Sequence, residues 1–222
     1  FAMFIGIVLS TFCGLFLGIE YGDGTIRNKV VVGHKRSSIY LANLITCIVA
    51  GLAMCAAFML VYVAVGIPLI GTFTLEIKYI LLYIGAALLM STAFASIFTM
   101  LAMLNQNKAV VAVSCILFAF ISLFAGQYIQ SRLEAPEMYE GYSYTDDSGE
   151  LIEFEATKNP RYLEGAQREA YEFVHKLLPG DQQVQIGQMT TQKPGELMIY
   201  SAGVTIVVTA IGMMLFKKKD LK

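Results

Sequence analysis

Five long stretches of this chain contain no Asp, Glu, Lys or Arg residue. They hold 130 of the 222 residues, and they are Phe1–Ile19, Ser37–Leu75, Tyr79–Asn107, Ala109–Ser131 and Leu197–Phe216. A helix needs about 20 apolar residues to cross the hydrocarbon core of a bilayer, and each stretch is that long or nearly so. Buried helices of soluble proteins are shorter and keep a polar face. The pattern therefore predicts an integral membrane protein and excludes one or two soluble domains.

The basic residues of the short connecting segments predict how these helices are oriented. Four of them lie in Glu20–Arg36, one is Lys108, and four follow Phe216, whereas the connection Glu76–Lys78 carries only one. Short cytoplasmic loops are enriched in Lys and Arg. We therefore place the first three of these segments in the cytoplasm and the fourth outside.

The longest stretch, Ser37–Leu75, needs a separate interpretation. A single helix of that length would measure about 58 Å, which is too long for one crossing. We predict one helix from Ser38 to about Val65, ended by the Gly and Pro residues of an outer segment, Gly66–Gly71. The chain then crosses the membrane five times from an outer start, and this odd number leads us to expect one more helix before Phe1.

The segment Gln127–Glu196 differs from the rest because it holds 13 of the 17 acidic residues. Within it, Tyr142–Glu155 alternates around a turn at Ser148-Gly149, which is typical of a β-hairpin. We predict a small α+β outer domain at 128–196. It separates a membrane bundle at 1–127 from a last helix with a basic tail at 197–222.

The same outer domain carries signals for one helix. Asn159 and Pro160 predict an N-cap and a first-turn proline. Apolar residues at helical spacing are predicted to share one face of this helix, and they are Leu163, Ala166, Ala170, Phe173, Val174 and Leu177. Leu178-Pro179-Gly180 predicts the end of this helix.

Few residues of the apolar stretches have side chains suited to chemistry. We expect hydrogen bonds between helices for their polar groups, which are Asn43, Thr46, Ser91, Thr92, Ser96, Thr99 and Ser114. The four cysteines also lie in these stretches, so neither disulfides nor a cysteine metal site is predicted. His34 and His175 lie on opposite sides, and we expect each to stand alone.

The segment after the first crossing predicts a short helix at the cytoplasmic surface. Gly22 and Gly24 permit a sharp turn, and either Asp23 or Thr25 can cap a helix that runs from Ile26 to Val32. Gly33 then ends the helix. On composition alone, an ordinary basic anchoring loop is the preferred interpretation of this segment.

Two motifs lie on opposite sides of the predicted membrane. The inner one reads Glu20-Tyr21-x-x-Gly24-Thr25-Ile26-Arg27-Asn28-Lys29 and continues as Gly33-x-x-Arg36-x-x-Ile39-Tyr40. The outer one reads Asn159-Pro160-x-Tyr162-x-x-Gly165-x-x-Arg168, with Leu177-Leu178-Pro179-Gly180 behind it. The inner motif resembles the loop after the second transmembrane helix of ABC-2-type transporter permeases, and the outer one resembles the last extracellular loop of the Gram-positive members.

The resemblance covers essentially the whole chain. It implies an all-α integral membrane protein, with five helices of a six-helix permease and an α+β domain between the last two. It also implies a coupling helix, at about 24–33, that docks on a separate ABC ATPase subunit. The interface residues carried over from the family motif are Glu20, Tyr21, Gly24, Thr25, Ile26, Arg27, Asn28 and Lys29. Among them, Ile26 is expected to supply an apolar anchor, and Arg27 and Lys29 a charged rim.

No G-x-x-x-x-G-K-[ST] motif for nucleotide binding occurs in the sequence. We therefore expect no cofactor and no enzymatic activity in this chain, with ATP and Mg²⁺ bound by the partner ATPase. The other expected partners are a second permease copy or a similar permease and the bilayer of a bacterial cell membrane, but no nucleic acid. The alternative is a membrane-anchored sensor or assembly protein that binds a ligand through its extracellular domain.

Overall fold

Helices dominate the computed structural model of this chain, which describes residues 1–71, 75–145, 149 and 151–220. Five helices within these residues are long and apolar enough to cross a membrane, as the charge-free stretches predicted. They are α1 (Ile5–Gly22), the helix Arg36–Ile70, α5 (Ile77–Leu104), α6 (Lys108–Leu133) and α9 (Pro194–Lys218).

Shorter elements join them. One short helix follows the first span, α2 (Thr25–Val31), and two more precede the last span, α7 (Gly165–Leu177) and α8 (Pro179–Gln188). The strands lie between α6 and α7, and they are β1 (Met138–Tyr139), β2 (Tyr142–Thr145), β3 (Leu151–Phe154) and β4 (Thr157–Lys158). We call the end of the bundle with α2 and the last lysines the basic end, and the end with the strands the acidic end.

The second span continues further than its sequence predicted. It consists of α3 (Arg36–Val61), a π-helical turn (Tyr62–Gly66) and α4 (Ile67–Ile70), so the prediction of an end near Val65 is wrong. Proline normally clashes with the carbonyl four residues earlier, but Pro68 lies in the first turn of α4, directly after the wider π turn. Gly71, at φ +101°, ends the helix instead.

Helix α5 lies at the centre of the bundle and packs along α9, α3 and α1, while α1 packs along α6. Glycine residues of α1 allow it to approach α6 closely. A methyl group added at Gly14 would lie 3.0 Å from the Cα atom of Ala112, and one at Gly18 would lie 3.3 Å from Lys108. The Gly14–Gly18 pair, with the spacing of a G-x-x-x-G packing motif, therefore serves close helix packing.

The polar residues of the spans bond mostly within their own helices. Ser96 and Thr46 each donate to a carbonyl three or four residues earlier, so the prediction of interhelical bonds is wrong for these two. Ser91 also donates to a carbonyl of its own helix, but its side chain hydrogen-bonds to Cys55 of α3 as well, as predicted. The prediction is confirmed for Thr92, whose hydroxyl lies 3.3 Å from that of Thr205 on α9. Asn43 also reaches another helix, at the sulfur of Met103.

The predicted hairpin is present at the acidic end. Strands β2 and β3 pair antiparallel, with Tyr142 opposite Phe154 and Thr145 opposite Leu151. Gly149 has φ +84°, as a residue of a tight turn often has, whereas Ser148 lies outside the described residues. A second short pair, β1 with β4, lies next to the hairpin in the chain.

Helix α7 begins later than predicted, because Asn159 does not cap it. The buried Asn159 side chain accepts a hydrogen bond from the Arg161 amide and donates one to the Pro136 carbonyl, so it closes the base of the strands instead. The N-cap of α7 is Glu164. The helix ends at Leu177, as the sequence predicted, but Pro179 then begins α8, a helix that the sequence did not predict.

Candidate functional site

The segment α2 is a two-turn helix between α1 and α3 at the basic end. Its bounds, Thr25–Val31, agree with the predicted Ile26–Val32 to within one residue at each end. Gly24 is the N-cap and has φ +70°, and no side chain caps the helix, so neither Asp23 nor Thr25 has the predicted capping role. Gly33, at φ +100°, turns the chain into α3.

Ile26 attaches α2 to the bundle. Its side chain is 0% exposed and belongs to the same apolar core as the residues of α1 and α3. The expectation that Ile26 offers an apolar anchor to a partner is therefore wrong for this chain, because the protein's own core already covers it. The periodicity of a seven-residue helix is too short to reveal which side is buried.

An ion pair fixes α2 from a second direction. The Lys29 ammonium lies 2.8 Å and 3.0 Å from the two carboxylate oxygens of Glu20, at the end of α1. The Glu20 side chain is mostly buried, and that of Lys29 is half-buried. These two residues of the carried-over interface therefore neutralise each other within the chain.

Tyr21 joins three parts of the basic end. Its hydroxyl donates to the Met103 carbonyl at the end of α5, over 2.6 Å. The Lys219 ammonium donates to the same carbonyl over 3.1 Å and lies 4.8 Å from the centre of the Tyr21 ring. Burial of this ammonium lowers the pKa of Lys219 to about 8.

Arg36 adds a fourth connection at this end. Its guanidinium donates to the carbonyl oxygens of Phe216, Lys217 and Lys219, at the end of α9. A cation at this position also interacts favourably with the negative end of the helix dipole. The base of α2 is thus connected to α1, α3, α5 and α9.

The exposed surface of α2 is formed by other residues than expected. Arg27 and Asn28 are exposed, as a docking surface requires, whereas Thr25 and Gly24 are half-buried. The most exposed apolar residues here are Val31 and Val32, at 78% and 79%. We call Arg27, Asn28, Val31 and Val32 the α2 patch. The signal for the two valines is a run of three, Val30–Val32, in an otherwise basic segment.

A second cluster of polar residues lies at the acidic end, where α8 is inserted between α5, α6 and α1. Eight consecutive residues of this polar helix are buried, from Pro179 to Ile186. The His175 ring nitrogen Nδ1 lies 2.9 Å from a carboxylate oxygen of the fully buried Asp181, so the expectation that His175 stands alone is wrong. Loss of solvation raises the pKa of Asp181, and the hydrogen bond from His175 opposes this shift.

Gln185 and Gln182 complete this cluster. Gln185 donates to the His175 carbonyl over 2.6 Å, and Gln182 donates to the Lys176 carbonyl over 2.6 Å. Both carbonyls belong to the last turn of α7, so the two amides satisfy groups that a helix end leaves without partners. A cavity of about 280 Å³ opens beside them, lined in part by Gln130, Glu134, Lys176 and Glu196.

Among the residues that the structure describes, no three His, Cys, Asp or Glu side chains are placed to hold a metal ion together. Comparisons with family models, with curated proteins and with solved structures find no match for this chain.

Proposed function

We propose that this chain is the membrane-spanning permease subunit of an ABC-2-type exporter, driven by a separate ATPase subunit. The observation that carries the proposal is the α2 patch. A short helix at the basic end presents two exposed valines beside Arg27 and Asn28, and its other side is held by the bundle.

The attachment of α2 suits a helix that transmits force. A docking helix on a flexible loop would move without moving the bundle. Here the buried Ile26 and the Glu20–Lys29 ion pair hold α2 against α1, so a displacement of α2 displaces the end of that span. The Tyr21 hydrogen bond extends the connection to α5.

The chemistry of the patch suits a protein partner. Exposed valines lose contact with water when a partner covers them, and each square ångström of apolar surface removed from water contributes about 25 cal/mol. Arg27 lies beside them and can pair with an acidic residue at the rim of the interface. In this proposal the partner binds ATP and Mg²⁺, and a second permease copy completes the path through which substrate moves outward.

A pair of matched double variants tests the proposal. The chain is co-expressed with an ABC ATPase from the same organism, and co-purification and ATPase activity in proteoliposomes are measured. Val31→Asp with Val32→Asp is expected to abolish both. Leu69→Asp with Ile70→Asp is the control, since these residues are 79% and 83% exposed at the far end of the span that follows α2, and it is expected to retain both.

Two results would overturn the proposal. The first is co-purification and ATPase activity that the valine variants leave unchanged. The second is a wild-type chain that binds no ATPase and leaves the ATPase rate unchanged, and this result would favour the alternative of a sensor or assembly protein.

A further inference from the structure

Helix α7 carries its apolar stripe on the side that faces away from the bundle. The stripe has helical spacing, every member of it is exposed, and its members are Ala166, Ala170, Phe173, Val174 and Leu177. The sequence predicted these residues, together with Leu163, on one face of a helix, and the shared face is confirmed for the five, whereas Leu163 precedes α7 and is buried. Phe173 is 55% exposed, and none of the 13 residues of α7 is fully buried.

The opposite side of α7 faces the protein. Its half-buried residues include Arg168, Tyr171 and His175, and the helix packs on α6, α8 and α9. His175 is held there by Asp181. A helix on a water-exposed domain places its apolar stripe toward the core and its polar residues toward solvent. The reversed arrangement of α7 indicates that an apolar medium covers the stripe.

The position of α7 along the bundle identifies that medium. The Phe173 ring contacts the Tyr200 ring edge-on, with centroids 6.3 Å apart, and Tyr200 belongs to α9. Tyr200 lies about 25 Å along α9 from Lys217 at the basic end, at 1.5 Å per residue. Since the hydrocarbon core is about 30 Å thick, Phe173 lies near its boundary at the acidic end.

Distances along helix α6 place the membrane boundary at the acidic end at a similar distance from the basic end. The exposed Tyr128 lies about 30 Å along α6 from Lys108, at 1.5 Å per residue. Tyr and Trp are enriched at the two boundaries of the hydrocarbon core, and Tyr128 and Tyr200 mark one of them here. We propose that α7 is an interfacial helix whose apolar stripe inserts among the lipids of the leaflet at the acidic end.

The residues beside the stripe define the class of lipid. The exposed polar neighbours are Gln167, Glu169 and Glu172, so this surface carries no excess of positive charge toward anionic headgroups. Binding depends on insertion of apolar side chains between acyl chains, and zwitterionic lipid is sufficient for it. The inference depends on the five spans and not on the proposed transport function.

The absence of tryptophan from the sequence permits a direct test. Single-tryptophan variants Phe173→Trp and Ala170→Trp report on the stripe, Glu169→Trp on the polar edge, and Ile206→Trp on the exposed middle of α9. Each full-length protein is reconstituted in phosphatidylcholine bilayers with bromine near the headgroup or near the chain end. Retained protection of the buried cysteines against maleimide shows that each variant is folded.

The stripe reporters are expected to emit at shorter wavelength than Glu169→Trp. Quenching by shallow bromine is expected to be several-fold stronger for them than for Glu169→Trp, whereas Ile206→Trp responds most to deep bromine. Emission like that of Glu169→Trp, with quenching by aqueous acrylamide, would overturn the proposal. Blue-shifted emission that neither brominated lipid quenches would also overturn it, because protein and not lipid would then cover the stripe.

Discussion

The Tyr21 hydroxyl and the Lys219 ammonium both donate to one carbonyl oxygen, that of Met103. Tyr21 belongs to the last turn of α1, Met103 belongs to the last turn of α5, and Lys219 follows α9. One acceptor therefore joins three spans at the basic end, on the same side as α2. A force on α2 reaches these spans through short polar contacts and not through a flexible loop.

Tyr21→Phe removes one of the two donors to Met103. We expect the free energy of unfolding to fall by about 1 kcal/mol, since Lys219 keeps the carbonyl paired and the only other bond lost is a long one, 3.5 Å, from Lys219 to the Tyr21 hydroxyl. Thermal unfolding can be followed with a maleimide dye that reacts with the four buried cysteines as they become exposed. Tyr128→Phe is the control, because Tyr128 is exposed on α6. Equal midpoints for the two variants would contradict this role of Tyr21.

Gly126→Ala tests the crossing of α6 and α8. A methyl group at Gly126 would lie 2.5 Å from the Cα atom of Asp181, so α8 must move away from α6. We expect a loss of about 1–3 kcal/mol, as for other overpacked sites. Gly203→Ala is the matched control in a helix interior, since nothing lies within 4 Å of its added methyl group. The control is expected to be neutral or to gain up to about 1 kcal/mol from helix propensity. A Gly126→Ala protein as stable as the control would contradict the close crossing.

This crossing also shows what the sequence could and could not predict. The five spans, the hairpin and α2 follow from local signals: runs without charge, alternation, and glycines at the turns. Helix α8 has no such signal, because Pro179–Gln188 begins with a Pro-Gly pair and has only two apolar side chains after it, Val184 and Ile186. Its burial depends on Gly126, more than 50 residues earlier in the chain, where the absence of a side chain lets two backbones touch.

The candidate site shows the same limit. Its place in the chain was predicted within one residue, but the roles of its members were not. Ile26 is buried by α1 and α3, and the carboxylate of Glu20 pairs with Lys29. Both facts depend on how three helices meet, which a motif read along the chain does not contain. The exposed valines can be recognised as candidate docking residues only from the structure, because it shows which side of α2 is buried.

Asp181 is expected to make stability depend on pH. Burial raises its pKa in the folded protein, so ionisation of this carboxyl costs folding free energy. The stability contribution is therefore fully present below the ordinary Asp pKa of about 3.9, and it is lost as pH rises through the raised value. Asp181→Asn removes the titration while an amide oxygen can still accept from His175.

The measurement is the difference in unfolding midpoint between wild type and Asp181→Asn over a pH series. The unfolding midpoint of Asp181→Asn is expected to increase relative to that of wild type as pH rises. A difference that is constant with pH, or that shifts in favour of wild type, would contradict the cost of ionising Asp181.

Charge reversal of the Glu20–Lys29 pair distinguishes a structural role within the chain from a role in docking a partner. Glu20→Lys and Lys29→Glu each place two like charges together and are expected to loosen α2 on α1, with a cost of about 1 kcal/mol. The double variant with both changes restores an ion pair of reversed direction. If the pair acts within the chain, the double variant recovers the unfolding midpoint.

If an ATPase docks on the α2 patch as proposed, the double variant is also expected to recover stimulation of that ATPase, because the patch is then held in its original position. If Glu20 and Lys29 instead contact the ATPase, reversing both charges places each opposite the wrong partner group. Stability would then recover while stimulation stayed lost. A matched reversal of Arg27, which is exposed and belongs to the patch, is expected to lower stimulation without changing the unfolding midpoint. Loss of stimulation in both the double variant and Arg27→Glu would extend the docking surface to the ion pair and contradict its internal role.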